Sequence, residues 1–276
     1  MLVTGCGSGI GRAAALLLDR SGCDVYAGVM SEAEEGDLRA AGSERIRPLI
    51  LDVTDSSSVE AAAGRVAGEV GERGLTGLVN NAGIAAAGPL EHVPIERLRS
   101  VFDVNVFGLL AVTQAFLPLL RSGGGRIVNV SSVGAWISLP FVSPINASKA
   151  AVKSFDDALR MELAPHGIDV VAIEPGSIRT AGSEGMVAMG DDAIAALPEA
   201  GRERYGERMR AFVAAMSKSE LKGSPPDTVA ETILAALTVR RPRTRYPTGS
   251  NARLLTWLGR LVPNPALDRL RDRLFG

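Results

Sequence analysis

Six short runs rich in Val, Ile and Leu punctuate the first 175 residues: Met1–Val3, Asp24–Val29, Ile46–Leu51, Gly77–Asn80, Gly125–Ser131 and Ile168–Glu174. Most are continuous rather than alternating with polar residues, the pattern of strands covered on both faces. Between them, apolar positions recur at helical spacing over Ile10–Ser21, Ser56–Gly71, Leu98–Arg121 and Ala147–His166. Asp55, Ser56–Ser58 and Glu60 bring capping chemistry to the second of these helices. Strand and helix in turn, joined by right-handed crossovers, predict an α/β fold: one Rossmann-type doubly wound parallel sheet with helices on both faces.

The pattern changes after Pro175. Residues 181–222 are polar and rich in Ala, Met and Gly, with no strand signal. An insertion after the sixth strand is expected to form a lid at the carboxyl edge of the sheet; a surface helical hairpin is the plainer alternative. A helix resumes over Asp227–Thr238, and a basic, Pro-broken tail follows as a C-terminal helical extension. Its apolar set of Leu254, Leu255, Trp257, Leu258, Leu261 and Val262 has helical spacing, which favours packing on the body or on a twin subunit over a membrane-surface helix. The expected organisation is a single domain over 1–276, with a core over 1–180, a lid over 181–224 and C-terminal helices over 225–276.

With 276 residues, one large domain is favoured over two small ones. A net charge of −1 gives no field for nucleic acid. Two cysteines, Cys6 and Cys23, cannot form a disulfide framework, and with only His92 and His166 no metal site is expected. Met1-Leu2-Val3 runs straight into a glycine-rich turn, so no leader is read, and the short first strand points to a start a few residues upstream. The apolar stretch Val106–Leu120 is too short and too mixed to span a bilayer, so the expectation is a soluble, cytoplasmic protein.

The turn after the first strand reads Thr4-Gly5-Cys6-Gly7-Ser8-Gly9-Ile10-Gly11 and leads into a helix. Glycines there let the backbone approach a pyrophosphate resting on the positive helix end. Thr4-Gly5-x-x-x-Gly9-Ile10-Gly11 resembles the cofactor motif of the short-chain dehydrogenase/reductases, and so do Leu51-Asp52-Val53 and Asn80-Asn81-Ala82-Gly83. Asn105, Ser131-Ser132, Lys149 and Pro175-Gly176-Ser177-Ile178-Arg179-Thr180 follow at the family's spacings, so the match covers about residues 1–180. It is closest to the branch with hydroxysteroid and retinol dehydrogenases.

The resemblance implies a nicotinamide dinucleotide. Asp52 would bond the adenine amino group and Val53 pack on its ring; Asn81, Ala82 and Gly83 would line the adenosine ribose. Pro175, Gly176, Ile178 and Thr180 would hold the carboxamide. An acid ending the second strand would select NAD and an arginine NADP; Met30-Ser31 is neither. Glu32, Glu34 and Glu35 would repel a 2′-phosphate, which favours NAD(H) over NADP(H).

The family's working set is Asn-Ser-Tyr-Lys, here Asn105, Ser132, position 145 and Lys149. Lysine binds the nicotinamide ribose and lowers the tyrosine pKa, tyrosine exchanges a proton with the substrate oxygen, and serine hydrogen-bonds that oxygen. Counting back four from Lys149 and forward thirteen from Ser132 gives one position, and it holds Ile145. Loss of a positioned general acid is typically worth 10²–10⁴ in rate. Water, Tyr205, a self-ionising substrate and Lys149 acting through water are the remaining proton sources to consider. Three readings stay open: a redox enzyme with another proton source, a repurposed enzyme for dehydration, isomerisation or cyclisation, and a non-catalytic dinucleotide-binding partner. Trp136, Leu139, Phe141, Met186, Met189, Met209 and Met216 suggest a pocket for a hydrophobic small molecule. The apolar helices at 98–121 and 147–166 suggest a homodimer or homotetramer.

Overall fold

The strand runs assemble into one parallel sheet because each offers apolar side chains to both faces. In the computed structural model, which describes the backbone of residues 1–275 and all their side chains except Ala181, Glu184 and 270–275, the strands are β1 Leu2–Val3, β2 Val25–Val29, β3 Ile46–Ile50, β4 Gly77–Asn80, β5 Arg126–Val130, β6 Val170–Pro175 and β7 Arg245–Thr248. They lie in the order β3-β2-β1-β4-β5-β6-β7, every neighbouring pair parallel. The helices are α1 Gly9–Arg20, α2 Glu32–Ala41, α3 Ser56–Val70, α4 Ile95–Phe102, α5 Leu109–Gly123, α6 Ser143–Leu163, α7 Ala181–Glu184, α8 Met186–Ala195, α9 Glu199–Leu221, α10 Pro226–Thr238, α11 Ala252–Leu261 and α12 Asn264–Phe275. The α/β doubly wound architecture read from the sequence is the one observed.

Adjacent strand residues divide between two cores, as a period of two requires. Val3, Val79, Val128 and Val171 pack with Leu18 of α1 and Ile233 of α10. Leu2, Leu78, Ile127 and Val170 pack with Val66 of α3 and Phe116 and Leu120 of α5. Burial of this much branched aliphatic surface, about 1.5–3 kcal/mol per side chain, fixes the register and aligns the carboxyl ends of β1, β4, β5 and β6.

A buried polar chain runs beneath that edge. Asn80 Nδ2 donates to Thr113 Oγ1 of α5 at 3.0 Å and to Asn129 Oδ1 at 2.9 Å. Asn129 Nδ2 in turn donates to Asp156 Oδ1 of α6 at 2.6 Å. A wholly apolar β4–β5 pair could slide; this chain of bonds ties both strands to both helices.

Three elements depart from the sequence reading, the first being α2, Glu32–Ala41, which it does not include. The helix expected over 98–121 begins at Ile95, ends at Gly123 and widens into a π-turn over Asp103–Gly108. The seventh strand, Arg245–Thr248, falls in what reads as a basic tail; it is an edge strand paired only with β6, where Pro247 is tolerated.

Candidate active site

The carboxyl edge begins with the β1–α1 turn. Gly5 (φ +68°) and Gly9 (φ +54°) adopt conformations that favour glycine. A Cβ on Gly11 would lie 2.1 Å from the Gly5 carbonyl oxygen, so the turn closes only with glycine there. Thr4 is buried, and its Oγ1 accepts from the backbone N–H groups of Asn81 and Ala82, each at 3.0 Å. Asn81 Nδ2 donates back to the Thr4 and Gly5 carbonyls at 3.0 and 3.1 Å. Its amide thus braces the turn. Ser8 is extended and its hydroxyl does not cap α1, while Ile10 packs against the core. Helix N–H groups left without a side-chain cap, beside glycine backbone, fit a pyrophosphate.

At the next strand ends, Asp52 Oδ1 accepts from Thr54 N at 2.9 Å and Thr54 Oγ1 at 2.7 Å, and Val53 is buried beside Gly108. Glu34 reaches back from α2 so that its Oε2 accepts from Met30 N at 2.8 Å. A Cβ on Gly7 would lie 2.4 Å from the Glu34 carboxyl carbon. The structure therefore sets a carboxylate between the end of β2 and the glycine turn. The sequence shows three nearby glutamates without showing which one turns inward.

The expected working residues meet where β4, β5 and α6 converge. Lys149 is buried, its Nζ donating to the Val130 carbonyl at 2.7 Å, and a Cβ on Gly83 would lie 3.8 Å from that nitrogen. Burial pulls the Lys149 ammonium down to about 8, with the charge of Asp156 opposing. Burial likewise pushes Asp156 up to about 6. Asn105, within the π-turn, accepts from Ile84 N at 2.8 Å through Oδ1 and donates to Ile84 O at 3.0 Å and Ser148 Oγ at 2.9 Å. Ser148 Oγ donates to the Ile145 carbonyl at 2.8 Å. Ile145 sits half-buried in the first turn of α6, one turn before Lys149. Ser132 Oγ accepts from Gly134 N at 2.9 Å, and its own proton has no acceptor among the described residues. The site so built holds one buried cation, a free hydroxyl and an apolar side chain between them in sequence.

The Pro175–Thr180 segment is partly occupied. Gly176 N donates to Thr248 O at 2.9 Å and Thr180 N to Ser183 Oγ at 2.9 Å. Ile178 N, one of the groups expected to hold a carboxamide, donates to Glu220 Oε2 of α9 at 3.0 Å. Burial raises the Glu220 pKa. This contact joins segments over forty residues apart and has no signature in the sequence.

Leu139, Phe141, Met186, Met209 and Met216 come together in one apolar cluster with Phe212, Val213 and Tyr205. Phe141 holds a positive φ of 62°, a strained backbone for an aromatic residue. Trp136 and Met189 do not join that cluster. Trp136 Nε1 donates to buried Glu174 at 2.8 Å, and its ring is faced by Lys153, Arg245 and Arg260. Tyr205 is not free to serve as an acid: its phenol donates to Glu91, which also pairs with Arg204 at 3.0 Å, and that bond raises its pKa. His92 stacks edge-on against Tyr205, and His166 is exposed beyond α6.

Residues 1–189 match the family model described as short chain dehydrogenase. The chain belongs to this family. It is 39% identical over 275 residues to 17-beta-hydroxysteroid dehydrogenase type 6 of Rattus norvegicus, covering 98% of this chain and 86% of the relative. Retinol dehydrogenase 5 of Mus musculus is 38% identical, covering 94% and 82%. Among solved structures, a short chain dehydrogenase from Burkholderia cenocepacia in complex with NADP superposes with a TM-score of 0.73 at 28% identity, covering 100% of this chain and 96% of that one. As a member of this family, the chain is an oxidoreductase of the NAD(P)(H)-binding type.

These relatives correct the expectation of a cytoplasmic protein. Retinol and hydroxysteroids, the compounds in their names, are apolar molecules that partition into lipid. Ile95–Gly123 is a helix of 29 residues that by length and composition alone could cross a membrane, but Val112, Phe116 and Leu120 within it are buried in the core against the sheet.

Proposed function

We propose that this short chain dehydrogenase binds NAD(H) and acts on the carbonyl or alcohol of a hydrophobic small molecule, slowly, because Ile145 stands where a phenol would exchange the substrate's proton. The observation that carries the reading is the convergence at one sheet edge of the braced glycine turn, the buried Lys149 amine near Gly83 and the Ser132 hydroxyl, whose oxygen accepts from Gly134 N while its proton has no acceptor among the described residues. A bound nicotinamide would donate or accept the hydride. Ser132 would hold the substrate oxygen, and Asn105 keeps α6 and the Ile84 backbone in place. Lys149, one turn from Ile145, is the ionisable group nearest that position along α6 and would supply the proton through water. Helices α7 to α9 would serve as the substrate lid over 181–224, with 1–180 as the binding core.

Support for NAD over NADP comes from Glu34. Its carboxylate lies against Gly7 at the end of β2, where a 2′-phosphate would meet like charge and a 2′-hydroxyl an acceptor. Support for a homodimer or homotetramer comes from Phe107 and Met161, exposed at 59% and 62% on the apolar pair α5 and α6 and the π-turn before them. The test is a fluorescence titration with NADH and NADPH followed by an assay with retinol or a hydroxysteroid. NADH should bind more tightly by about tenfold or more, Lys149→Met should weaken it, and turnover should be slow. Failure of both dinucleotides to bind would remove the reading.

A further inference from the structure

One buried network is left over once the dinucleotide and substrate contacts are assigned. Ser132 opens a short 3₁₀ turn over Val133–Ala135. Gly134 N donates to Ser132 Oγ at 2.9 Å, Ala135 N to the Ser132 carbonyl at 3.1 Å and Trp136 N to the Val133 carbonyl at 3.0 Å. Ser132 to Trp136 is thus one hydrogen-bonded unit. A single 3₁₀ turn has little rigidity of its own, so the aim of the Ser132 hydroxyl depends on what holds Trp136.

Four elements close on that residue. The indole Nε1 donates to Glu174 Oε1 of β6 at 2.8 Å, and Arg245 of β7 donates to the same oxygen at 2.9 Å. Arg245 also donates to Asp157 Oδ1 at 2.9 Å and to the Lys153 carbonyl at 3.2 Å, both on α6. The Lys153 amine lies 4.4 Å from the centre of the indole ring and the Arg260 guanidinium 5.0 Å. A Cβ on Gly259 would lie 2.6 Å from the Trp136 carbonyl oxygen, so α11 packs against its backbone.

Glu174 is fully buried, and its second oxygen has no partner among the described residues. A buried ion pair with an oxygen left unpaired is a poor source of stability. What it fixes is position. Glu174 directly precedes Pro175, so one carboxyl group ties the Ser132 turn to the segment expected to hold a carboxamide.

On the reading that Ser132 hydrogen-bonds the substrate oxygen, on which this rests, we propose that Trp136, Glu174 and Arg245 form a clamp that positions Ser132 relative to the Pro175–Thr180 segment. Trp136 and Glu174 are positioning residues that act through Ser132. Misplacement of a reacting group by about 1 Å can cost about 10²-fold in rate.

The test is a mutant cycle on kcat for retinol or a hydroxysteroid at saturating NAD, with product followed by chromatography. Dinucleotide affinity and melting temperature are measured beside it. Ser132→Ala should lower kcat by about 10²-fold. Trp136→Phe keeps a ring among the cations but removes the N–H; it should lower kcat by about tenfold and leave dinucleotide affinity unchanged. Glu174→Leu should lower kcat at least as far, and Glu174→Gln, whose amide oxygen still accepts both donors, should restore most of the rate. Trp136→Phe leaves every charge in place and carries the test alone if Glu174→Leu does not fold. In Ser132→Ala/Trp136→Phe the second substitution should add nothing, because the clamp then has no hydroxyl to place. Equal losses from Trp136→Phe with and without Ser132, or an unaltered kcat in Trp136→Phe, would overturn the clamp and leave Ser132 its role. Ser132→Ala as fast as the unaltered protein, or no turnover by either, would overturn the role of Ser132 and the clamp with it.

Discussion

Lys149 shows how one residue's surroundings set its chemistry. Its amine donates to the Val130 carbonyl, and burial draws its pKa down to about 8 while the charge of Asp156 pulls the other way. The amine is therefore charged below that pH and neutral above it. If it supplies the proton for carbonyl reduction, the rate should fall as pH rises through about 8, and alcohol oxidation should rise over the same window. Asp156→Asn removes the opposing charge, so the midpoint should move down; a pH–kcat profile of both proteins checks this. A profile flat across that window would exclude Lys149. Residues placed by short-range spacing were legible beforehand: Ile145 and Lys149 share a helix face because they are four apart. Glu34 and Glu220 were not, because each reaches its partner through tertiary packing that no local pattern records.

At the scale of elements, the long π-containing helix and the α9 hairpin decide how the site opens. The π-turn rotates Asn105 inward, where it bonds both Ile84 and Ser148 and so locks the loop after β4 to α6. Helix α9 reaches the opposite side, with Glu220 on the Ile178 N–H and Tyr205 on Glu91. If Ile178 holds the carboxamide, Glu220 competes for that N–H. Glu220→Ala should then tighten dinucleotide binding by about tenfold, the scale of one hydrogen bond to a charged group, in a fluorescence titration. Weaker binding would instead make Glu220 a brace of the segment. Most strands were readable because continuous Val/Ile/Leu runs admit few alternatives. Helix α2 escaped because Leu38 is its sole buried side chain, and β7 because Arg-Tyr-Pro-Thr carries no apolar run.

For the whole molecule, the two cores and the polar chain through Asn80, Asn129 and Asp156 tie the sheet to its helices, while large apolar side chains stay exposed at several places. Among them are Leu254, Trp257 and Leu261 on α11, and Phe107 and Met161. If Phe107 and Met161 pair subunits, Phe107→Asp should halve the mass seen in sedimentation or light scattering without lowering the melting temperature much, and an unchanged mass would place the subunit contact elsewhere. The architecture itself was legible because alternation of strand and helix leaves few topologies; where the molecule resides was not, since only comparison with relatives, and no local pattern, bears on it. The central claim is that an intact dinucleotide site is held back by one apolar side chain. Its most direct test is turnover of a retinoid or steroid by Ile145→Tyr beside the unaltered protein at equal dinucleotide saturation. A gain of about 10²–10⁴ in kcat with similar dinucleotide affinity is the expected result; an unaltered protein already as fast as the variant would contradict it.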